Sequence, residues 1–155
     1  MLEKAKQFAF ENYYNLDVYF HKNVDLSNLG LGSKTKIHLI INDESNKDLD
    51  TSIGNIYTSI TYNRNLTPGK YETIILPFAP NAESLENFAF YELTSANSDV
   101  LNFSEVTEPQ ANTPYLYTLR PGKYSTQITG GETTISSEIN TPRVAAWKTI
   151  GSYAS

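Results

Sequence analysis

Along most of this chain apolar and polar side chains alternate in short runs, and clusters of Gly, Pro, Asn, Asp and Ser separate the runs. Alternation with period two places successive side chains on opposite faces of an extended backbone, so the pattern predicts strands. The clearest run is Ile60 to Phe78. Ile60, Tyr62, Arg64 and Leu66 fall on one face, with Thr61, Asn63 and Asn65 on the other. Pro68-Gly69 then fits the centre of a type II turn, where proline presets φ and glycine accepts a positive φ. A second strand follows and ends at Pro77. A type II turn is not the favoured two-residue hairpin, so the flanking strands can belong to different pairs or different sheets.

The same pattern predicts strands over 17–21, 35–41, 54–62, 115–120 and 144–150, with loops over 23–34, 42–52 and 108–114. In the second of these strands Ile37, Leu39 and Ile41 share a face. Phe88–Leu93 and Val100–Val106 bracket a turn-rich hexapeptide and predict a hairpin. Gly130-Gly131 predicts another, between 124–129 and 132–137. Pro121-Gly122-Lys123-Tyr124 repeats Pro68-Gly69-Lys70-Tyr71, which reads as one turn chemistry used twice. In 115–120 both faces are partly apolar, as expected of a central strand covered on both sides more than of a sugar-stacking platform. One helix is predicted, at 1–16, where Leu2, Ala5, Phe8, Ala9, Tyr13 and Leu16 form an apolar stripe. The tally predicts a single all-β domain over 1–155, an antiparallel β-sandwich of jelly-roll-like type with one short N-terminal helix. A parallel sheet is not expected, because no crossover helices separate the strands.

Composition narrows the chemistry. The chain is long enough to bury a core without covalent staples, and it has 11 Tyr against 7 Phe and one Trp. Tyrosine suits a half-buried pleated surface, because its ring packs while its hydroxyl stays wet. A net charge of −5 with no basic cluster argues against a nucleic-acid partner. There is no cysteine, which removes disulfides, thiolate metal sites and thiol catalysis. No apolar run is long enough to predict a membrane span. The segment Met1-Leu-Glu-Lys-Ala-Lys6 lacks the apolar centre of a signal peptide, so export would need a leader outside these residues.

No catalytic or metal-ligating set stands out, and no cofactor motif is present. His21 and His38 are the two imidazoles, and neither lies in a His-x-His or His-Glu-x-x-His spacing. His38 is expected to face solvent or pack at a rim. The Gly-x-Ser-x-Gly elbow of serine hydrolases is absent, and none of the 17 carboxylates is singled out as half of a glycosidase pair. Asn42–Asp50 is rich in oxygen ligands but lacks the glycine and closing glutamate of a calcium loop, so it reads as a solvated acidic loop. Asn65-Leu-Thr67 and Asn102-Phe-Ser104 match glycosylation sequons. Arg64, the one charge on its apolar face, is expected at the edge of the core, paired with a carboxylate or backbone carbonyls.

Arg64-Asn-Leu-Thr-Pro-Gly-Lys-Tyr-Glu-Thr-Ile-Ile-Leu-Pro-Phe78 resembles a signature of β-domains in surface-exposed or secreted proteins of Bacteroidetes. In that signature an Arg-x-Leu precedes a Gly-x-Trp-x-Thr run that ends in Leu-Pro-Phe. Phe90–Thr94 with Leu101–Thr107 is similar to the family's aromatic-Glu-Leu hairpin, and Gln110–Leu116 to its Ala-Gly-x-Pro-Tyr-Leu loop. The resemblance covers 57–153 and ends in Ile150-Gly-Ser-Tyr153. Tyr71 stands where the family has Trp, and Asn112 where it has Gly; Asn tolerates a positive φ better than most residues. The family pattern implies further closing strands beyond Ser155. It also implies a non-catalytic module at the cell surface or outside the cell. The implied partners are the other domains of a larger surface protein and a host or microbial protein or glycan. A structural or adhesion role is the leading expectation. The alternatives are carbohydrate binding through exposed Tyr or Trp147, and a small hydrolase.

Overall fold

The computed structural model describes residues 16–42 and 49–140. The helix expected at 1–16, the strand at 144–150, Trp147 and most of the acidic loop lie outside the described residues. Among the described residues ten strands follow in order: β1 (Asp17–Phe20), β2 (Lys36–Asn42), β3 (Ile56–Tyr57), β4 (Ser59–Asn63), β5 (Glu72–Ile75), β6 (Phe88–Ala96), β7 (Leu101–Val106), β8 (Pro114–Leu119), β9 (Gln127–Gly130) and β10 (Thr133–Thr134). One short helix, α1 (Ala82–Asn87), precedes β6. The fold is all-β. No described helix is long and apolar enough to cross a membrane.

The strands form a four-stranded sheet in the order β1-β2-β4-β9, a two-stranded sheet of β10 and β3, and a four-stranded sheet in the order β5-β8-β6-β7. The last is antiparallel throughout, with β8 between β5 and β6. The first is not: β1 pairs β2 and β2 pairs β4 in parallel, and only β4 with β9 is antiparallel. The expectation that helix-free connections forbid parallel pairs therefore fails here. A parallel crossover needs a dozen or more residues, usually but not necessarily helical, and the loop 21–35 spans the β1–β2 connection with no helix.

β4 and β5 belong to different sheets, as the intervening turn implied. Gly69 has φ 82° and Lys70 N–H donates to Thr67 O at 3.0 Å. The second Pro-Gly turn matches it, with Gly122 at φ 75° and Lys123 N–H donating to Arg120 O at 3.0 Å. Two other expectations change. The strand expected over 54–62 is split at Thr58, so that β3 pairs with β10 while β4 pairs with β2 and β9. Gly130-Gly131 is not a hairpin turn, because β9 and β10 pair with different partners. Gly130 is needed for close approach: a Cβ there would run into the Phe78 ring and lie 2.8 Å from Ala79 O. Asn112 sits at φ 58°, a conformation that Asn tolerates better than most residues.

One core draws Leu39, Ile41, Ile60 and Ile128 from the first sheet and Ile74, Phe88, Phe90, Tyr115, Tyr117 and Leu119 from the third. Arg64 lies at its edge. Its Nη2 is 3.0 Å from Glu72 Oε2, its Nη1 donates to Thr73 O at 3.3 Å, and its guanidinium stands 5.7 Å from the Tyr117 ring centroid. The helix was not anticipated. Its sequence signal is Asn81, whose side chain accepts from Ser84 N–H at 3.0 Å, followed by Glu83 in the first turn.

Candidate functional site

The twin Pro-Gly turns both line one cleft of about 420 Å³ on the third sheet. That volume is within the usual range of small-ligand sites, about 300–1,000 Å³. Strand register builds its floor. Ala89 of β6 lies opposite Thr118 of β8 and Tyr91 opposite Leu116. Ala89 projects only a methyl group, which leaves room above the sheet. Thr118 Oγ1 donates to Lys70 O at 2.7 Å and holds the first turn down onto β8. The second turn grows directly out of β8 through Arg120.

Arg120 is fixed from three directions. Its backbone N–H donates to Asn87 O at 2.8 Å, its Nε donates to Leu85 O at 2.7 Å, and its Nη2 lies 2.7 Å from Glu105 Oε1. The end of α1 and the edge strand β7 thus hold a guanidinium at the cleft wall, with about 36% of the side chain still exposed. Tyr71 and Tyr91 form an aromatic wall, their ring centroids 6.0 Å apart and their planes tilted by 57°. Burial pushes the Tyr91 phenol above its ordinary value, the neighbouring Tyr71 and Glu105 push it the same way, and Arg120 pulls it down. The phenol is therefore a neutral hydroxyl near pH 7. Among the described residues the charged side chains that line the cleft are Arg120 and Lys123, with Glu105 paired to Arg120.

A second constellation lies on the first sheet. His38 Nδ1 is 2.6 Å from Ser59 Oγ, and His38 Nε2 is 2.7 Å from Asp17 Oδ1. Tyr19 stacks on the imidazole at 4.8 Å. The parallel register produces this row, since Tyr19, His38 and Ser59 are Cα partners across β1, β2 and β4. The order matches a serine–histidine–acid relay. Its setting differs from a hydrolase elbow: Ser59 opens a strand that runs between β2 and β9. The arrangement ties the edge strand β1 to β2 and, through His38, to β4.

His38 is thus rim-packed, as expected, and His21 is exposed beyond β1. Tyr115 and Tyr117 are buried on a central strand. The sequon residues Asn65 and Asn102 are both exposed. The exposed tyrosines Tyr19, Tyr71 and Tyr124 do not form one coplanar row: Tyr19 stacks on His38 of the first sheet, while Tyr71 is tilted against Tyr91 of the third. The cleft had a sequence signal, the duplicated Pro-Gly-Lys-Tyr. The Asp17–His38–Ser59 row had none, because only strand register brings those positions together. Family models, curated proteins and solved structures yield no match to this chain, so the resemblance to Bacteroidetes surface domains rests on its own sequence blocks.

Proposed function

We propose that this chain is a non-catalytic β-sandwich module of a cell-surface or secreted protein, with an adhesion role exercised through the cleft that the twin turns line. The observation that supports it is the construction of that cleft. Rigid strands and backbone hydrogen bonds position an aromatic wall and a fixed guanidinium, while the floor is a methyl group and a threonine already bonded to the turn. Binding hot spots are enriched in tyrosine, tryptophan and arginine, and preorganising such groups lowers the cost of binding. The test is a glycan array probed with the parent protein and with Tyr71→Ala. The reading expects binding to at least one saccharide that the variant loses while keeping its melting temperature. Binding unaffected by the substitution would move the contact surface elsewhere.

A second reading, a small serine hydrolase, draws support from the hydrogen-bonded order Asp17–His38–Ser59. A fluorophosphonate reagent separates the two. The adhesion reading expects no labelling, and labelling that disappears in Ser59→Ala would replace it with the hydrolase reading.

A further inference from the structure

We infer that the cleft selects an acidic saccharide, one bearing a carboxylate or a sulfate. The inference rests on the adhesion reading above and names its ligand class. It begins from a contrast in charge. The chain carries a net charge of −5, yet the charged residues that line the cleft are Arg120 and Lys123, both cationic. Lys70, exposed at the end of the first turn, follows the lining residue Gly69 and precedes Tyr71 in the chain. Glu105 offsets part of the Arg120 charge from one side, through Nη2. A cleft of one sign against a background of the other focuses field lines and draws oppositely charged ligands to itself.

The aromatic geometry selects among anions. A flat nucleobase is held best between parallel rings or on an extended stacking face. Tyr71 and Tyr91 instead meet at 57°, which forms an angled corner and not a slot. A pyranose fits such a corner, because its puckered ring presents C–H bonds to two aromatic faces in different planes. The neutral Tyr91 hydroxyl serves as donor or acceptor to sugar hydroxyls. Arg120 is held in place before any ligand arrives, so its use costs little ordering entropy. Lys123, exposed on the tip of the second turn, supplies a flexible point charge suited to carboxylate or sulfate.

The test is calorimetry on the full chain at low and physiological salt. The probes are tetragalacturonate and its methyl ester, sulfated cellotetraose and unmodified cellotetraose, and AMP. An acidic tetrasaccharide should bind at least about tenfold more tightly than its neutral counterpart, and the preference should shrink as salt rises. Lys123→Gln should weaken acidic binding about fivefold without changing the weak neutral binding. The carboxylate and sulfate arms identify which anion is preferred. Equal, salt-insensitive binding of neutral and acidic probes, lost in Tyr71→Ala, would overturn the charge selection while leaving the adhesion reading intact. Tighter binding of AMP than of any saccharide would overturn the ligand class. No binding by any probe would overturn the inference itself, and the glycan array then decides the adhesion reading on its own.

Discussion

Asn23 and the twin-turn cleft both gather tyrosines, polar side chains and backbone groups, and they use them in opposite directions. Asn23 is 1% exposed and its side chain is fully engaged. Its Nδ2 donates to Asp50 O at 2.6 Å and to Ile53 O at 3.0 Å, and its Oδ1 accepts from Asn55 Nδ2 and Tyr57 Oη, each at 2.7 Å. These bonds join the loop after β1 to the segment before β3, across about 30 residues of sequence. They occupy the place where a helix would brace a parallel crossover. In the cleft the hydrogen bonds run behind the surface, from Thr118 to Lys70 and from Arg120 to Leu85, and the side chains they position face outward. A polar cluster that satisfies itself indoors holds the fold. One that is braced from behind, with its front open, is available to a partner.

The largest effect that separates the two regions is expected at Asn23. Asn23→Leu would take one donor each from the Asp50 and Ile53 carbonyls, one acceptor from Asn55 Nδ2 and the acceptor of the buried Tyr57 hydroxyl, and would set an apolar side chain among them. Stability should fall by about 3 kcal/mol, read as a lower urea midpoint with an unchanged slope. Saccharide binding by the folded fraction should persist. A midpoint near that of the parent would mean that the knot does not brace the crossover.

Arg64→Ala is next. It removes the Glu72 pair, the cation over Tyr117 and the aliphatic stem that covers the core edge. The pair is partly exposed, with Glu72 at 41%, so its electrostatic share is small, and packing and ring contact make up most of an expected loss of about 1–2 kcal/mol. Ligand loss at unchanged melting temperature would contradict this structural role.

Tyr57→Phe should cost about 1 kcal/mol at neutral pH, since it leaves one acceptor position on Asn23 unfilled. It also carries a pH signature. Burial raises the Tyr57 phenol above its ordinary value of 10.0, against a smaller opposing effect from Asn55. Above that value the unfolded chain loses the proton while the folded chain keeps it. The folded state then binds more protons, and stability falls as pH rises from about 10 through the folded value. Alkaline denaturation of Tyr57→Phe should therefore show a shallower decline than that of the parent.

The antiparallel sheet was legible from the sequence because its signals are local. The turn-rich 94–99 overlaps the end of β6 and runs into the 97–100 turn before β7, and β8 has apolar residues on both faces, which marks a central strand. The parallel sheet was not, because alternation in β1, β2 and β4 is the same whichever way the neighbours run. Thr58 illustrates the limit. A run of β-branched and aromatic residues continues through it, yet its backbone N–H donates to Ile37 O while its Oγ1 accepts from Ile37 N–H, and the strand breaks there. Gly130-Gly131 has the composition of a hairpin turn, but the approach of Phe78 is what requires Gly130. At the candidate site the duplicated Pro-Gly-Lys-Tyr disclosed two turns of one kind. That the turns line a single cleft depends on β5, β8 and β6 being neighbours, which no local pattern encodes.

The smallest expected change in stability belongs to Tyr71, 57% exposed on the cleft wall, and it also gives the most direct test of the account. Parent and Tyr71→Ala would be compared by calorimetric titration with the best saccharide from the array and by thermal melting. The account predicts that binding is lost while the melting temperature stays within about 2 °C of the parent, since exposed substitutions away from core features shift stability by about 0.5 kcal/mol or less. Undiminished binding by the variant, or a melting temperature as low as that of Asn23→Leu, would contradict the division between a knot that folds the chain and a cleft that binds.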